Sequence, residues 1–206
     1  MAIADGLTTT CGNLQSSGGI QTVLIREWNS TGSPDKIATL GTGTITSIAA
    51  SGGSTSTWGV YETKLESPTL SINGTSVGNA NTYECSLSFY LPQLDLLRRN
   101  SITDMQGKCL QVMMLDTNST YFVLGISGTL TGGDGGLDLA AASHIGTRPQ
   151  TFAKVGTVEG GTGAAFSDET GLTVTLTCTQ YELPRTYVEA GAAPSISASG
   201  LVATIT

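Results

Sequence analysis

Charge is what this sequence lacks most. Of its 206 residues only nine are Lys or Arg, and all charged residues together make up 12%, about half the usual share. The nine cations are scattered, with only Arg98 and Arg99 adjacent, while the acids bring the net charge to −7 and the pI near 4.5. A grip on a phosphate backbone works by clustered cations releasing counterions, so tight nucleic-acid binding is excluded. The Arg98–Arg99 pair reads instead as a solvated helix end, where cations suit the dipole. No apolar run is long enough to span a bilayer as a helix. The opening "MAIADGLTTT" has neither a basic stretch nor a continuous apolar stretch, so no secretory signal is expected.

Metal and thiol chemistry are as thinly represented. Cys11, Cys85, Cys109 and Cys178 lie far apart, without C-x-x-C or Cys/His metal spacing. They read as free thiols made in a reducing cytoplasm, with Cys85 and Cys178 on buried strand positions. The sequons at Asn29, Asn73 and Asn118 carry little weight without a secretory route. His144 is the only histidine, in a loop, and no neighbouring motif makes it catalytic. "GISGT" lacks the spacing of a nucleophile elbow, and "GGTGAAFS" lacks the Gly-Lys-Ser/Thr of a phosphate loop. "GGDGGLDLA" nearly matches a calcium-binding nonapeptide, but that motif works by stacked repetition, so Asp134 and Asp138 read better as parts of a glycine loop. No cofactor, no metal and no enzymatic activity are expected.

What the chain has is glycine, 27 copies of it, with abundant Ser and Thr around β-branched apolar residues. In "DETGLTVTLTCTQYELP" (168–184), Leu172, Val174, Leu176 and Cys178 fall on one parity and Thr173, Thr175, Thr177 and Thr179 on the other. Successive strand side chains point to opposite faces, so the segment predicts one oily face and one wall of threonines. "TYECSLSFYL" (82–91) alternates likewise, with Leu87 and Phe89 as core candidates beside the oily set of 172–178. "KCLQVMMLD" (108–116) is apolar on both parities and reads as a central strand covered on both sides.

Further strands are predicted at 20–28, around Ile45 and Ile48, at 58–67, at 120–125 after a "TNS" turn, and within 147–158. "NGT" at 73–75 reads as a turn. One helix is predicted over about 93–106, with Pro92 in its first turn, Leu94 and Leu97 on one face, and Gly107 ending it. The fold expected is mainly β, an antiparallel β-sandwich or open barrel with one short flanking α-helix. It comprises an N-terminal arm (1–19), one β domain (20–188), and a C-terminal arm or terminal strand (189–206). Trp28, Trp58 and Tyr61 offer a possible aromatic platform for a glycan, although half-buried strand aromatics are the commoner reading.

The order of these segments resembles that of bacteriophage tail tube proteins. The resemblance rests on "VMMLDTNSTYFVLG" (112–125), an apolar strand, a D-x-N-type turn, an aromatic and a closing Leu-Gly. It rests also on "GGTGAAFSDETGLTVTLTCTQYELP" (160–184), where Asp168 and Gly171 frame a turn, Thr175-Leu176-Thr177 alternate, and Glu182 precedes Pro184. "TYECSLSFYLPQLDLLRRN" fits the strand and helix between them. The similarity covers roughly residues 58–188, while the first third matches nothing in the pattern.

The resemblance implies a virion structural protein without cofactor, assembled in the host cytoplasm as stacked, hexameric rings that conduct DNA. Its partners are then further copies of itself, other tail proteins, and DNA that passes without tight binding; no membrane is involved. Thr173, Thr175, Thr177 and Thr179 become the candidate wet or lumen-facing strand. Ile196, Leu201, Val202 and Ile205, poorly placed in water, become the candidate assembly arm, adding a strand to an exposed edge. A head–tail connector, a capsid decoration protein, and an adhesin or glycan-binding β module stand as alternatives.

Overall fold

A computed structural model describes residues 19–27, 36–39, 44–49, 56–61, 63–64, 66–77, 80–126, 136–138, 152–163, 169–188 and 202–205. Thirteen strands and one helix are found among them, in the order β1 (Ile20–Glu27), β2 (Lys36–Thr39), β3 (Thr44–Ala49), β4 (Ser56–Tyr61), β5 (Thr69–Val77), β6 (Ala80–Pro92), α1 (Leu96–Met105), β7 (Leu110–Asp116), β8 (Tyr121–Leu124), β9 (Gly136–Asp138), β10 (Lys154–Gly161), β11 (Gly171–Gln180), β12 (Arg185–Tyr187) and β13 (Val202–Ile205). The fold is β-rich, with a single helix among the described residues.

The strands form two sheets. One runs β13-β4-β1-β7-β8-β12-β3-β2-β9, and the other β10-β11-β6-β5. Every pairing is antiparallel except β12 with β3, which is parallel, so the larger sheet is mixed rather than purely antiparallel. That sheet curves until β13, at one end of the order, approaches β3, the seventh strand along.

The two sheets share one core. Val23 and Ile25 of β1, Val112 and Met114 of β7, Leu87 and Phe89 of β6, and Val174 and Leu176 of β11 all belong to it, with Ile102 and Met105 of α1. A second core lies on the opposite face of the large sheet, built from Leu24, Ile45, Trp58, Met113, Val123 and Tyr187. β7 sits between β1 and β8 and feeds both cores, Met113 into one and Met114 into the other, each fully buried. A strand covered on both faces needs apolar residues at consecutive positions, which "VMM" (112–114) supplies.

Helix α1 begins later than its sequence suggests. Pro92 is the last residue of β6, Gln93 turns the chain at φ 69°, and Asp95 caps the helix by accepting from the Arg98 backbone N–H at 2.8 Å. Leu94 therefore falls outside the helix, and Leu96 and Leu97 are exposed; Ile102 and Met105 make the buried contact. Arg98 and Arg99 stand in the first turn, the end where the dipole disfavours cations. Arg98 is held there by an ion pair with the capping Asp95. Gly107, at φ 78°, follows the C-cap and ends the helix.

Two further expectations are corrected. "NGT" (73–75) is not a turn but the middle of β5, with Gly74 directly opposite Tyr83 of β6. The missing side chain leaves room for the tyrosine ring, which would lie 3.1 Å from a Cβ at that position. The strand expected at 58–67 runs over Ser56–Tyr61 instead, and the chain turns at Glu66, at φ 61°.

Candidate functional site

The face of the four-stranded sheet turned away from the core is a wall of hydroxyl groups. On β11, Val174, Leu176 and Cys178 are buried, Leu172 is half-buried against the same core, and Thr173, Thr175, Thr177 and Thr179 lie on the other face. On β6, Cys85, Leu87, Phe89 and Leu91 point inward, leaving Thr82, Glu84, Ser86, Ser88 and Tyr90 outward. The register aligns these outward residues into rows across the sheet. Thr69, Ser88, Thr175 and Thr157 form one row, and Ser71, Ser86, Thr177 and Lys154 the next. Asn73, Glu84 and Thr179 form a third. Thr175 Oγ1 and Ser88 Oγ lie 3.4 Å apart across the strands.

The electrostatics of this wall are close to neutral. Lys154 is its one cation among the described residues, against the carboxylates of Glu84 and Glu159. At its margin Lys64 pairs with Glu169 and rides over the Tyr90 ring, 5.8 Å from its centroid. Threonine suits such a surface, because its branched Cβ keeps the strand extended while its hydroxyl meets water.

The two edges of this sheet differ. β10 carries a register shift between Val155 and Thr157, and Gly160 at φ 153° packs on the Gly171 backbone. A bulged edge is poorly suited to continuous pairing unless its partner is shaped to it. β5 pairs with β6 through nine consecutive residues without a shift, and among the described residues nothing pairs with its outer edge. That edge, "TLSINGTSV", carries no charge and no proline, and Ile72 is 38% exposed. Long, flat, uncharged edges are what isolated proteins avoid and what assembling chains use.

Sequence-based candidates elsewhere fall out as follows. Val202 and Ile205 lie in β13, which pairs with β4 of the same chain, Val202 opposite Gly59 and Ile205 opposite Ser56. Ile196 and Leu201 lie outside the described residues, as do the N-terminal arm to residue 18, Cys11, Trp28, Asp134, His144 and Asp168. Trp58 is fully buried in the second core beneath Arg26, whose guanidinium lies 5.5 Å from the ring, so it contributes to no exposed platform. Tyr61 is half-buried, its hydroxyl 2.7 Å from Ser101 Oγ, where it ties β4 to the helix. Asp138 sits in β9 opposite Lys36. Among the described residues no group of three or more His, Cys, Asp or Glu side chains is placed to hold a metal, and no helix is long and apolar enough to cross a membrane.

The motif residues have concrete local work. Asp116 closes the β7–β8 hairpin by accepting from the backbone N–H of Asn118 at 2.9 Å and of Thr120 at 2.7 Å. Gly125 has φ 87°, and a Cβ there would stand 2.6 Å from the Leu110 carbonyl. Glu182 accepts from Arg185 Nε at 2.8 Å, giving a counter-charge to a guanidinium that is almost completely buried.

No protein-family model and no curated protein sequence matches the chain.

Ser86 and Ser88 on β6 and Thr69, Ser71 and Asn73 on β5 also belong to the wall, and they join the four threonines only through strand register. The alternation in 82–91 held half of that information; the pairing of β6 with β11 held the rest.

Proposed function

We propose that this chain is a self-assembling structural subunit, a tail tube protein of a bacteriophage, whose four-stranded sheet lines a channel for DNA. The observation that carries the reading is the conjunction of an uncharged open edge on β5 with a hydroxyl wall on the same sheet. Pairing the open β5 edge of one copy with a strand of the next is a head-to-tail contact, and such contacts close into rings when the rotation permits. The walls of successive copies then merge into one inner surface.

The chemistry of that surface suits passage rather than binding. A wall of Thr and Ser hydroxyls with one lysine offers passing phosphates almost no counterion-releasing contact, whereas a lysine-lined channel would hold DNA strongly. The chain's net charge of −7 acts in the same direction. On this reading the protein needs no cofactor, works in the virion tail after assembly in the host cytoplasm, and has other tail proteins as end partners. The resemblance of residues 58–188 to tail tube proteins supports it independently of the surface argument.

Negative-stain electron microscopy across a concentration series, with light scattering on the same samples, tests the proposal. Stacked rings with a central channel are expected, and Thr175→Cys carrying a gold-labelled maleimide should place its label inside them. Single rings that never stack point to a connector, and a monodisperse monomer at every concentration overturns self-assembly. Labels on the outer surface of intact tubes refute the assignment of the wall to the channel.

A further inference from the structure

Two cysteines that are 93 positions apart in sequence are direct neighbours in space. Cys178 of β11 and Cys85 of β6 are opposed residues in the β6–β11 register, and both point into the core side of the sheet, 7% and 2% exposed. Directly opposed residues of an antiparallel pair have Cα atoms about 4.5–5.5 Å apart, inside the range of about 4.4–6.8 Å that a disulfide spans. Both are free thiols in this structure. We propose that Cys85 and Cys178 form a redox-closable pair, a modification site at which a small-molecule disulfide converts the two thiols to a cross-strand disulfide stapling β6 to β11.

The surroundings favour the step. The neighbouring Cys178 side chain holds Cys85 below the ordinary thiol value, while Cys178 is pushed up by Cys85 and by burial. Cys85 is thus the better nucleophile of the pair. Both sulfurs are nearly buried, so a small reagent reaches them when the sheet opens locally. Gln180, fully buried, lies with Oε1 3.5 Å from Cys85 Sγ and donates through Nε2 to the Ile126 carbonyl at 3.2 Å, which fixes the sulfur's environment.

The exchange balances without an outside electron acceptor beyond the disulfide itself. The Cys85 thiolate attacks one sulfur of the small disulfide, forming a mixed disulfide and expelling one thiolate. That thiolate takes up the Cys178 proton. The Cys178 sulfur then attacks Cys85 Sγ, expelling the second small thiolate, which is protonated by solvent. The protein pair has lost two electrons and the small disulfide has gained them, ending as two thiols.

A chain made reduced and later exposed to an oxidising medium would gain a staple across the middle of the wall-bearing sheet. The inference holds whether or not the chain forms tubes.

The test uses the full chain with Cys11→Ser and Cys109→Ser, so that only the pair remains. It is equilibrated with oxidised and reduced glutathione at graded ratios, then unfolded, alkylated with N-ethylmaleimide and mapped by peptide mass. The expected product is a peptide joining Cys85 to Cys178, with the intact mass lower by two hydrogens and Tm raised by roughly 10 °C, as closure of a long loop predicts. Cys85→Ser should show no such rise. Two alkylated thiols at every ratio, or glutathione adducts that never resolve to the link, overturn the proposal. Should the serine changes prevent folding, the same peptide map on the unsubstituted chain decides, and a Cys85 linked to Cys109 instead refutes it.

Discussion

β7 and β11 are both long central strands, yet they obey opposite rules. β7 lies in the large sheet with a core on each face, and Gln111, Val112, Met113 and Met114 are all fully buried. β11 lies in the small sheet with a core on one side only, and its burial alternates, Val174, Leu176 and Cys178 in, the threonines out. The difference teaches that layer position, not strand propensity, decides how much of a strand is constrained. It also identifies the only broad sheet face, among the described residues, that is free to do something other than pack.

The comparison breaks most visibly under a buried charge. Met113→Asp and Met114→Asp should each abolish the folded state, because an unpaired carboxylate in either core costs several kcal/mol, comparable to the stability of a whole domain. On β11 only one parity should be so sensitive, with Val174→Asp unfolding the chain and Thr175→Asp leaving it folded. Circular dichroism and thermal melts read all four; an unfolded Thr175→Asp would mean that the wall is covered.

Backbone sterics come next. Gly125→Ala should cost about 2–4 kcal/mol, because a Cβ there meets the Leu110 carbonyl and the left-handed conformation disfavours alanine. Urea titration measures it, and a neutral result would refute the close β7–β8 packing.

The helix gives a middle-sized contrast. Ile102→Ala removes a buried contact and should cost about 2–4 kcal/mol, while Leu97→Ala, at 64% exposure, should cost under about 0.5 kcal/mol. Equal effects would mean that the helix presents its other face to the core. Deleting residues 189–206 removes β13 and uncovers the β4 edge. A folded chain with Tm lower by roughly 5 °C is expected, together with weaker ring assembly, and unimpaired tubes would remove the C-terminal segment from the assembly reading. Smallest of all, Thr175→Ser should change stability by less than about 0.5 kcal/mol, since the hydroxyl stays and the site is half-exposed.

Much of this is legible in the sequence. Period-two alternation marked β6 and β11 with the correct faces, and the doubly apolar 108–116 marked β7, because side-chain parity along a strand is a local property. The helix was found but misplaced at its start, since Pro92 is equally at home ending a strand or opening a helix, and local sequence carries no information about which. The same ambiguity put Arg98 and Arg99 at the wrong end of the dipole. "NGT" looked like a turn because glycine's freedom is visible in sequence while the Tyr83 ring that needs the space is not.

The sequence by itself determined that this is a β-rich chain poor in charge, with one oily and one hydroxyl face on its closing strand. Tertiary structure alone decided that four strands pool their hydroxyls into one surface, that β5 is left as an open edge, and that Cys85 meets Cys178. Each of these depends on which strands pair and in what register. Pairing is settled by contacts between segments tens of residues apart, competing for the same core, and no local pattern encodes the outcome of that competition.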